Sequence, residues 1–287
     1  MTDGLAVIDK PAGWTSHDVV ARCRRIFGQR KVGHAGTLDP DATGVLLVGL
    51  GRVTRLLRFL SSLGKTYTGE VVLGSATTTL DAAGEVVAEW EMASVTLEQV
   101  RAAAHGFVGR IEQVPPMVSA VKVGGRRLHE LARTGQDVER PARPVEVYEL
   151  DVEAGSEPGV FRLAARCSSG TYVRALAADL GTALGGGAHL RNLRRTAIGS
   201  FTLAGAVPLA RLDPSDVLAP AEALRDYPMI TVDAPAATAV GHGRPLPVSV
   251  AGAPAGGGAV RVVDGDGRLL AVYERVDDDL RPAVVLG

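Results

Sequence analysis

An α+β fold with a mixed, mainly antiparallel central sheet, followed by a small all-β module, is the architecture this sequence predicts. Three observations carry it. Runs with strand character outnumber amphipathic helical stretches, and the two do not alternate as regular βαβ units. The 287 residues are 46% hydrophobic with a net charge of −1, enough to bury a core in one large domain plus a small one and to exclude wholesale disorder. A Gly/Ala/Pro-rich stretch at 248–259, with short strands around it, sets the C-terminal end apart.

The elements follow in chain order. Residues 5–9 read as a short buried strand, stopped by Pro11-Ala12-Gly13. Thr15 and Asp18 have the spacing of a capping box. The helix behind them puts Val19, Val20, Cys23, Ile26 and Phe27 on one stripe, with Arg22, Arg24 and Arg25 largely off it, and Gly28 ends it. Residues 29–44 read as a polar, Gly-rich loop, and 45–50 as a continuous apolar strand. Val53, Leu56, Leu57 and Leu60 mark a second amphipathic helix. Residues 65–73 alternate like a half-buried strand, with Tyr67, Gly69, Val71 and Leu73 on one face. A turn-rich stretch to Gly84 leads into another strand. Thr96 and Gln99 open a helix to about Phe107, and Pro115-Pro116 precedes a strand through Val123. Residues 124–144, rich in Arg and Gly, surround a short helix from Arg126 to Thr134 capped by Gly135. Strands are expected at 145–153 and 160–168, and a helix from about Tyr172 to Leu184 ends in Gly185-Gly186-Gly187. The boundary falls near residue 228, dividing the chain into 1–228 and 229–287. In the second part, 259–263 and 269–273, joined by Asp264-Gly265-Asp266-Gly267, read as a hairpin.

Composition excludes several classes. No run of about 18 uncharged apolar residues exists, so no membrane-spanning helix is expected. Met1-Thr2-Asp3-Gly4 lacks the basic and apolar regions of a secretory signal. Two cysteines, Cys23 and Cys167, give neither a disulfide framework nor zinc spacing, and the expected compartment is the reducing cytoplasm. Charge is unevenly placed. Arg22, Arg24, Arg25, Arg30, Lys31, Arg52, Arg55, Arg58 and Lys65 stand against only Asp39 and Asp41, whereas the stretch from Arg211 onward is net acidic. The N-terminal part is thus a candidate polyanion-binding surface.

Some motifs only imitate chemistry. Gly49-Leu50-Gly51 after a strand suggests a dinucleotide fingerprint, but Thr54 stands where the third glycine belongs. Gly64-Lys65-Thr66 imitates the end of a phosphate loop, but its first glycine would fall at Phe59. The six histidines lack metal-ligand spacing and no G-x-S-x-G occurs, so neither a metal site nor a serine hydrolase is expected. There remains the loop His34-Ala35-Gly36-Thr37-Leu38-Asp39-Pro40-Asp41-Ala42-Thr43-Gly44. Pro40 pushes Asp39 into extended geometry, and the glycines permit close backbone approach to a ligand. A stiffly held carboxylate among cations suits nucleophilic or base catalysis. A loop in which Asp39 or Asp41 only accepts backbone N–H groups is the other reading of the same residues.

Five spaced motifs give this loop a context. Residues Asp9 to Asp18 contain a lysine-proline-glycine-threonine-serine opening. Lys31 to Pro40 carry the aspartate loop, Lys65-Thr66-Tyr67 a tyrosine strand, Thr77 to Asp81 a polar loop, and Ser169 to Arg174 an arginine motif. Together, and in this order, they resemble the TruB family, bacterial tRNA pseudouridine synthases acting on the T arm. The resemblance spans residues 5 to about 200 and is weaker over the C-terminal part, which looks like a short or divergent PUA-type RNA-binding module.

The resemblance implies a pseudouridine synthase fold with a catalytic cleft, and an isomerase that converts the uridine at tRNA position 55 by base flipping. Asp39 would be the catalytic aspartate, either attacking C1′ or abstracting the 2′ proton, and Arg174 would pair with it. Tyr67 would stack on the flipped uracil and help remove the proton at C5. His34 would contact the RNA loop, with a backbone-bonded loop histidine as the alternative. Asp81 would be a pocket residue or a cap, Lys10 a support for the loop or for a phosphate, Tyr172 a substrate contact and Leu193 a pocket leucine. Residues 122–144, with Lys122, Arg126, Arg127, His129, Arg133, Arg140 and Arg143, resemble an RNA-gripping insertion, a solvated cationic face being the other reading. Arg191, Arg194 and Arg195 form a second cluster, expected across the cleft. Met117-Val118 stands where many relatives have a tyrosine. No cofactor, metal, membrane or obligatory protein partner is implied, and the expected state is a monomer. Two rivals are a guide-RNA-dependent synthase and a non-catalytic protein that helps tRNA fold.

Overall fold

The computed structural model describes residues 2–119, 122–123, 125–128, 138–247, 258–277 and 279–286. Chain order runs β1 (Gly4–Lys10), α1 (Ser16–Ile26), β2 (Val32–Ala35), β3 (Thr43–Leu50), a 3-10 segment at Gly51–Leu56, α2 (Leu57–Ser62), β4 (Lys65–Leu73), β5 (Ser75–Thr77), β6 (Val86–Glu89), α3 (Leu97–His105) and β7 (Gly109–Gln113). Then come the two-residue strands β8 (Lys122–Val123) and β9 (Arg126–Arg127), followed by β10 (Arg143–Ala154), β11 (Val160–Cys167), α4 (Val173–Ala183), β12 (Ala188–Ile198), β13 (Phe201–Thr202) and β14 (Val207–Pro208).

Among the described residues, ten strands join in one sheet with the order β14-β1-β3-β12-β4-β11-β10-β7, while β13 pairs with β12 and β2 with β3. The β1–β14 and β3–β12 pairs are parallel; the rest are antiparallel, which is the mixed sheet expected. Local chemistry sets the helix starts. The Thr15 side chain accepts the Asp18 N–H and the Asp18 carboxylate accepts the Thr15 N–H; Thr96 and Gln99 repeat the arrangement at α3.

Three segments differ from the sequence expectation. The Gly-rich loop contains β2, because Val32–Ala35 finds a ladder along β3. Of the strand expected through Val123, residues 117–119 are bends, 120–121 lie outside the described residues, and 122–123 form β8, paired with β9, so Arg126 and Arg127 are strand rather than helix. The rest of that expected helix, 129–134 with its Gly135 cap, lies outside the described residues, as does 248–257. The third difference is β12, which lies mid-sheet although its sequence, AHLRNLRRTAI, shows no two-residue alternation. Bulges between Arg191 and Arg194 and between Arg195 and Ala197 shift the phase of its side chains.

A second sheet takes its first strand at Met229. It comprises β15 (Met229–Thr231), β16 (Leu246–Pro247), β17 (Ala259–Val263), β18 (Leu269–Val276) and β19 (Asp279–Val285), in the order β15-β17-β18-β19-β16, with α5 (Ala234–Gly241) packed on it. This module has a core of its own around Tyr273 and Val262. Its other apolar side chains, Val263, Leu269, Val272 and Leu286, merge into one cluster with Leu56, Phe59 and Leu60. Arginines complete the seam. Arg52 Nη1 donates to the Leu286 carbonyl at 2.7 Å and Arg55 Nη1 to that of Val285 at 2.5 Å, while Arg58 pairs with Glu274 at 3.3 Å. Three cations that look like polyanion-binding surface in the sequence therefore hold the C-terminal module, whereas Arg22, Arg25, Arg30 and Lys31 remain exposed around α1. No helix among the described residues is long and apolar enough to cross a membrane.

Candidate active site

The loop between β2 and β3 is held from below by buried cations. Lys10 is fully buried, and its ammonium donates to the carbonyls of Pro11 at 3.0 Å, Trp14 at 2.7 Å and Pro40 at 2.9 Å. Burial pushes Lys10 down to about 8, while the nearby Asp39 and Asp41 carboxylates pull it upward. All three ammonium protons are committed to backbone, so Lys10 is placed as a loop support. Ser16 adds a second tie: the Leu38 N–H donates to its hydroxyl at 2.9 Å, and the hydroxyl to the Leu38 carbonyl at 3.2 Å.

Arg195 is the third tie. It is fully buried, and its guanidinium reaches the carbonyls of Val45 at 2.7 Å, Gly36 at 3.0 Å and Thr37 at 3.4 Å. A buried charge is tolerated only when its donors are satisfied, and here both ends of the loop satisfy it. The loop returns into β3 through Gly44, at φ +104°, where a Cβ would lie 2.1 Å from the Arg195 carbonyl. Only glycine permits that approach. The expectation that Arg191, Arg194 and Arg195 form one cationic cluster is corrected here. Arg195 is under the loop, Arg194 pairs with Asp9 at 2.7 Å, and Arg191 bonds Glu70 and Glu157 at 2.7 Å each.

On this frame Asp39 meets Arg174, from the first turn of α4. Arg174 Nε lies 3.0 Å from Asp39 Oδ2 and Nη2 lies 3.3 Å from Oδ1, a two-pronged contact. The arginine side chain is 5% exposed and the aspartate 38%, so the carboxylate has one face on the frame and one face open. The rest of the guanidinium is fixed by the Thr79 carbonyl at 2.7 Å, the Val118 carbonyl at 2.9 Å and Asp81 at 3.3 Å. Burial raises the Asp39 carboxyl above its ordinary range, and Arg174 opposes that rise. Asp81 touches Arg174 from the far side and also takes the Thr79 hydroxyl and the Ala83 N–H, so it holds its own turn as well as the arginine.

Asp39 and Arg174 open onto a cavity of about 260 Å³, also lined by Tyr67, Lys65, Ser119, Tyr172, Leu193 and Arg195. Its size suits one heterocyclic ring better than an extended cofactor. Tyr67 is 7% exposed. Burial raises its phenol, which Arg195 opposes, so the hydroxyl stays protonated near neutral pH and the ring offers a face. Leu193 reaches the cavity because of the first β12 bulge, where Asn192 takes φ +54°. Opposite it stands Gly69, where a Cβ would come within 3.6 Å of the Leu193 Cα. Tyr172 is pinned at its backbone by Gln113, which accepts its N–H at 2.8 Å and donates to its carbonyl at 3.1 Å.

Other expected residues lie apart. His34 sits on β2, packed edge-on against His17 with ring centroids 5.3 Å apart, and it does not line the cavity. Burial pushes it down to about 4, with His17 and Arg195 adding, and its Nδ1 is buried without a partner. Arg126 is exposed on the β8–β9 hairpin and does not line the cavity, and Leu128 is fully buried. Arg143 is exposed on β10, and Arg140 donates to the Pro115 carbonyl at 3.1 Å. His129 and Arg133 lie outside the described residues. Among the described residues no group of His, Cys, Asp or Glu is arranged to hold a metal ion. Sequence reasoning did not assign Lys65 to the cavity, Arg195 to the underside of the loop or Gln113 to the backbone of Tyr172. Lys65 did carry a signal, since it stands two residues before Tyr67 on the same strand face.

Comparison with known proteins shows what the chain as a whole is similar to. The TruB family pseudouridylate synthase N-terminal domain matches residues 24–173. The tRNA pseudouridylate synthase B C-terminal domain matches 174–227, and the C-terminal domain of tRNA pseudouridine synthase II matches 227–287. The chain is 51% identical to tRNA pseudouridine synthase B of Rhodococcus jostii over 257 residues, covering 87% of this chain and 84% of that one. It is 45% identical to the protein of the same name from an Arthrobacter species over 300 residues, covering 99% and 97%. Among solved structures, a chain in the crystal structure of a Cbf5-Nop10-Gar1 complex superposes with a TM-score of 0.80 at 27% identity, over 99% of this chain and 85% of that one.

Proposed function

The chain belongs to the TruB family of pseudouridylate synthases, and from that premise we propose that it isomerises the T-arm uridine at tRNA position 55 to pseudouridine. The observation that carries the reading is the two-pronged Asp39–Arg174 contact at the mouth of a cavity sized for one base. A uridine must leave its stack to reach Asp39, at a cost of a few kcal/mol that stacking in the pocket offsets. Tyr67 and Leu193 supply the apolar faces for the ring.

Asp39 is the reacting carboxylate. Arg174 fixes its two oxygens and favours the ionised form, leaving the open face for the sugar. The N1–C1′ bond breaks, the base turns while enclosed, and C5 joins C1′. The exposed Arg126 of the β8–β9 hairpin and the exposed arginines of α1 fit RNA phosphates, whose recognition in a folded loop rests on shape and backbone. The chain acts on bare tRNA as a monomer in the cytoplasm.

The test uses an unmodified T-arm stem-loop with no guide RNA and no added protein. Carbodiimide labelling and primer extension should stop at the target uridine after incubation with the wild type and not with Asp39→Asn. Tight binding without a stop would replace this reading with a role in RNA folding or a need for a partner.

A further inference from the structure

The catalytic cavity holds more positive charge than its visible partners explain. Lys65 and Tyr67 stand two apart on β4 and face the same side, and both line the cavity with Arg195. Lys65 is 7% exposed, and its ammonium donates to the carbonyls of Ser61 at 2.8 Å and Leu63 at 2.7 Å, where α2 ends. An ammonium has three N–H donors, and these bonds use two. Arg195 gives its guanidinium to the carbonyls of Val45, Gly36 and Thr37 and also hydrogen-bonds the Tyr67 hydroxyl. Among the described residues lining the cavity, Asp39 is the sole carboxylate, and it is already matched by Arg174. The charged or titratable groups acting on Lys65 are Arg195 and the Cys167 thiol. Burial, with Arg195 adding to it, pushes Lys65 down to about 8. Lys65 and Arg195 are held by neutral groups rather than by a carboxylate, so their charge is available to an anion formed in the cavity.

We propose that Lys65, backed by Arg195, is the electrostatic partner of the uracil anion that exists inside the cavity between bond cleavage and bond formation. The inference rests on the isomerase reading above. When the N1–C1′ bond breaks, its electron pair leaves with N1 and the negative charge spreads over the ring and its carbonyl oxygens. Asp39 meanwhile either bonds C1′ or takes the 2′ proton; after rotation a ring electron pair forms the C5–C1′ bond as the Asp39–C1′ bond breaks or the 2′ proton returns, the C5 proton departs to water and N1 takes up a proton from water, so atoms and electrons balance. The charge is absent from bound uridine. A cation placed for it therefore accelerates chemistry without tightening substrate binding.

Full-length Lys65→Gln and Lys65→Arg distinguish this role from a helix cap. The glutamine can still donate to the α2 carbonyls but carries no charge. Thermal melts establish folding, filter binding gives the Kd for T-arm RNA, and rapid quench gives the single-turnover rate. The expected result is a rate loss of about 100-fold for Lys65→Gln with Kd within about threefold, and recovery to within about tenfold of wild type in Lys65→Arg. A normal rate in Lys65→Gln, or a loss confined to Kd, overturns the inference. Should Lys65→Gln not fold, Lys65→Arg decides alone, a loss beyond about 100-fold counting against. An inactive wild type instead sinks the isomerase reading itself.

Discussion

Two regions of this molecule use the same kind of residue in opposite ways. Beneath the Asp39 loop, Lys10, Arg174 and Arg195 are buried and bound to backbone carbonyls or carboxylates drawn from distant parts of the chain. Along the 3-10 segment and α2, Arg52, Arg55 and Arg58 are partly exposed and reach the C-terminal module at its edge. The first set fixes one geometry because each donor has lost water and must keep its protein partner. The second keeps water as an alternative, so each contact contributes little by itself. Positive charge in the sequence therefore predicts neither RNA contact nor catalysis; burial separates frame from seam.

Substitutions should expose that difference. The largest loss is expected for Asp39→Asn, which keeps the volume and removes the charge. Single-turnover product formation should fall by about 10³-fold or more while RNA affinity changes little. Arg174→Lys comes next, because a point charge cannot hold both aspartate oxygens and also the Thr79 and Val118 carbonyls. A rate loss of about 100-fold, with a lower Tm, is expected by rapid quench and thermal melt. Gly44→Ala attacks the frame through the backbone, and urea titration should show destabilisation of about 2–4 kcal/mol.

A smaller effect is a pH dependence at His34. Its folded pKa of about 4 lies below the ordinary 6.5. Between those values the unfolded chain binds the proton and the folded chain does not, so stability should rise with pH across that window. His34→Asn should flatten that slope in denaturant titrations at several pH values. At the bottom of the scale, Arg58→Ala removes an exposed pair with Glu274 and should leave Tm unchanged within error. A drop as large as that of Gly44→Ala would erase the distinction between frame and seam.

Much of the fold was legible in residue patterns. The capping boxes at Thr15 and Thr96, the alternation of 65–73 and the hairpin at 264–267 follow from local rules, and the structure carries each of them. The central strand β12 was not, because its bulges break the alternation that identifies a strand and its Arg195 is a charge in a core position. The partners of Arg52 and Arg55 lie more than 200 residues away, beyond the reach of any local pattern. At the site, Asp39 stood out through Pro40 and the surrounding glycines, but its pairing with Arg174, 135 residues away, came from family resemblance. Gln113 carried no signal, since its work is done on the backbone of Tyr172.

A buried cationic frame orients the Asp39 carboxylate, and within it Arg174 opposes the rise that burial imposes on that carboxyl. The most direct test is the single-turnover rate against pH, from about 4 to 8, for the wild type and Arg174→Gln. Removing the guanidinium takes away the larger of the two cations, Arg174 and Lys10, that oppose the effect of burial on Asp39, so the acid limb should move to higher pH by about one unit or more. An acid limb at the same pH in both proteins would contradict the claim that Arg174 sets the charge on Asp39.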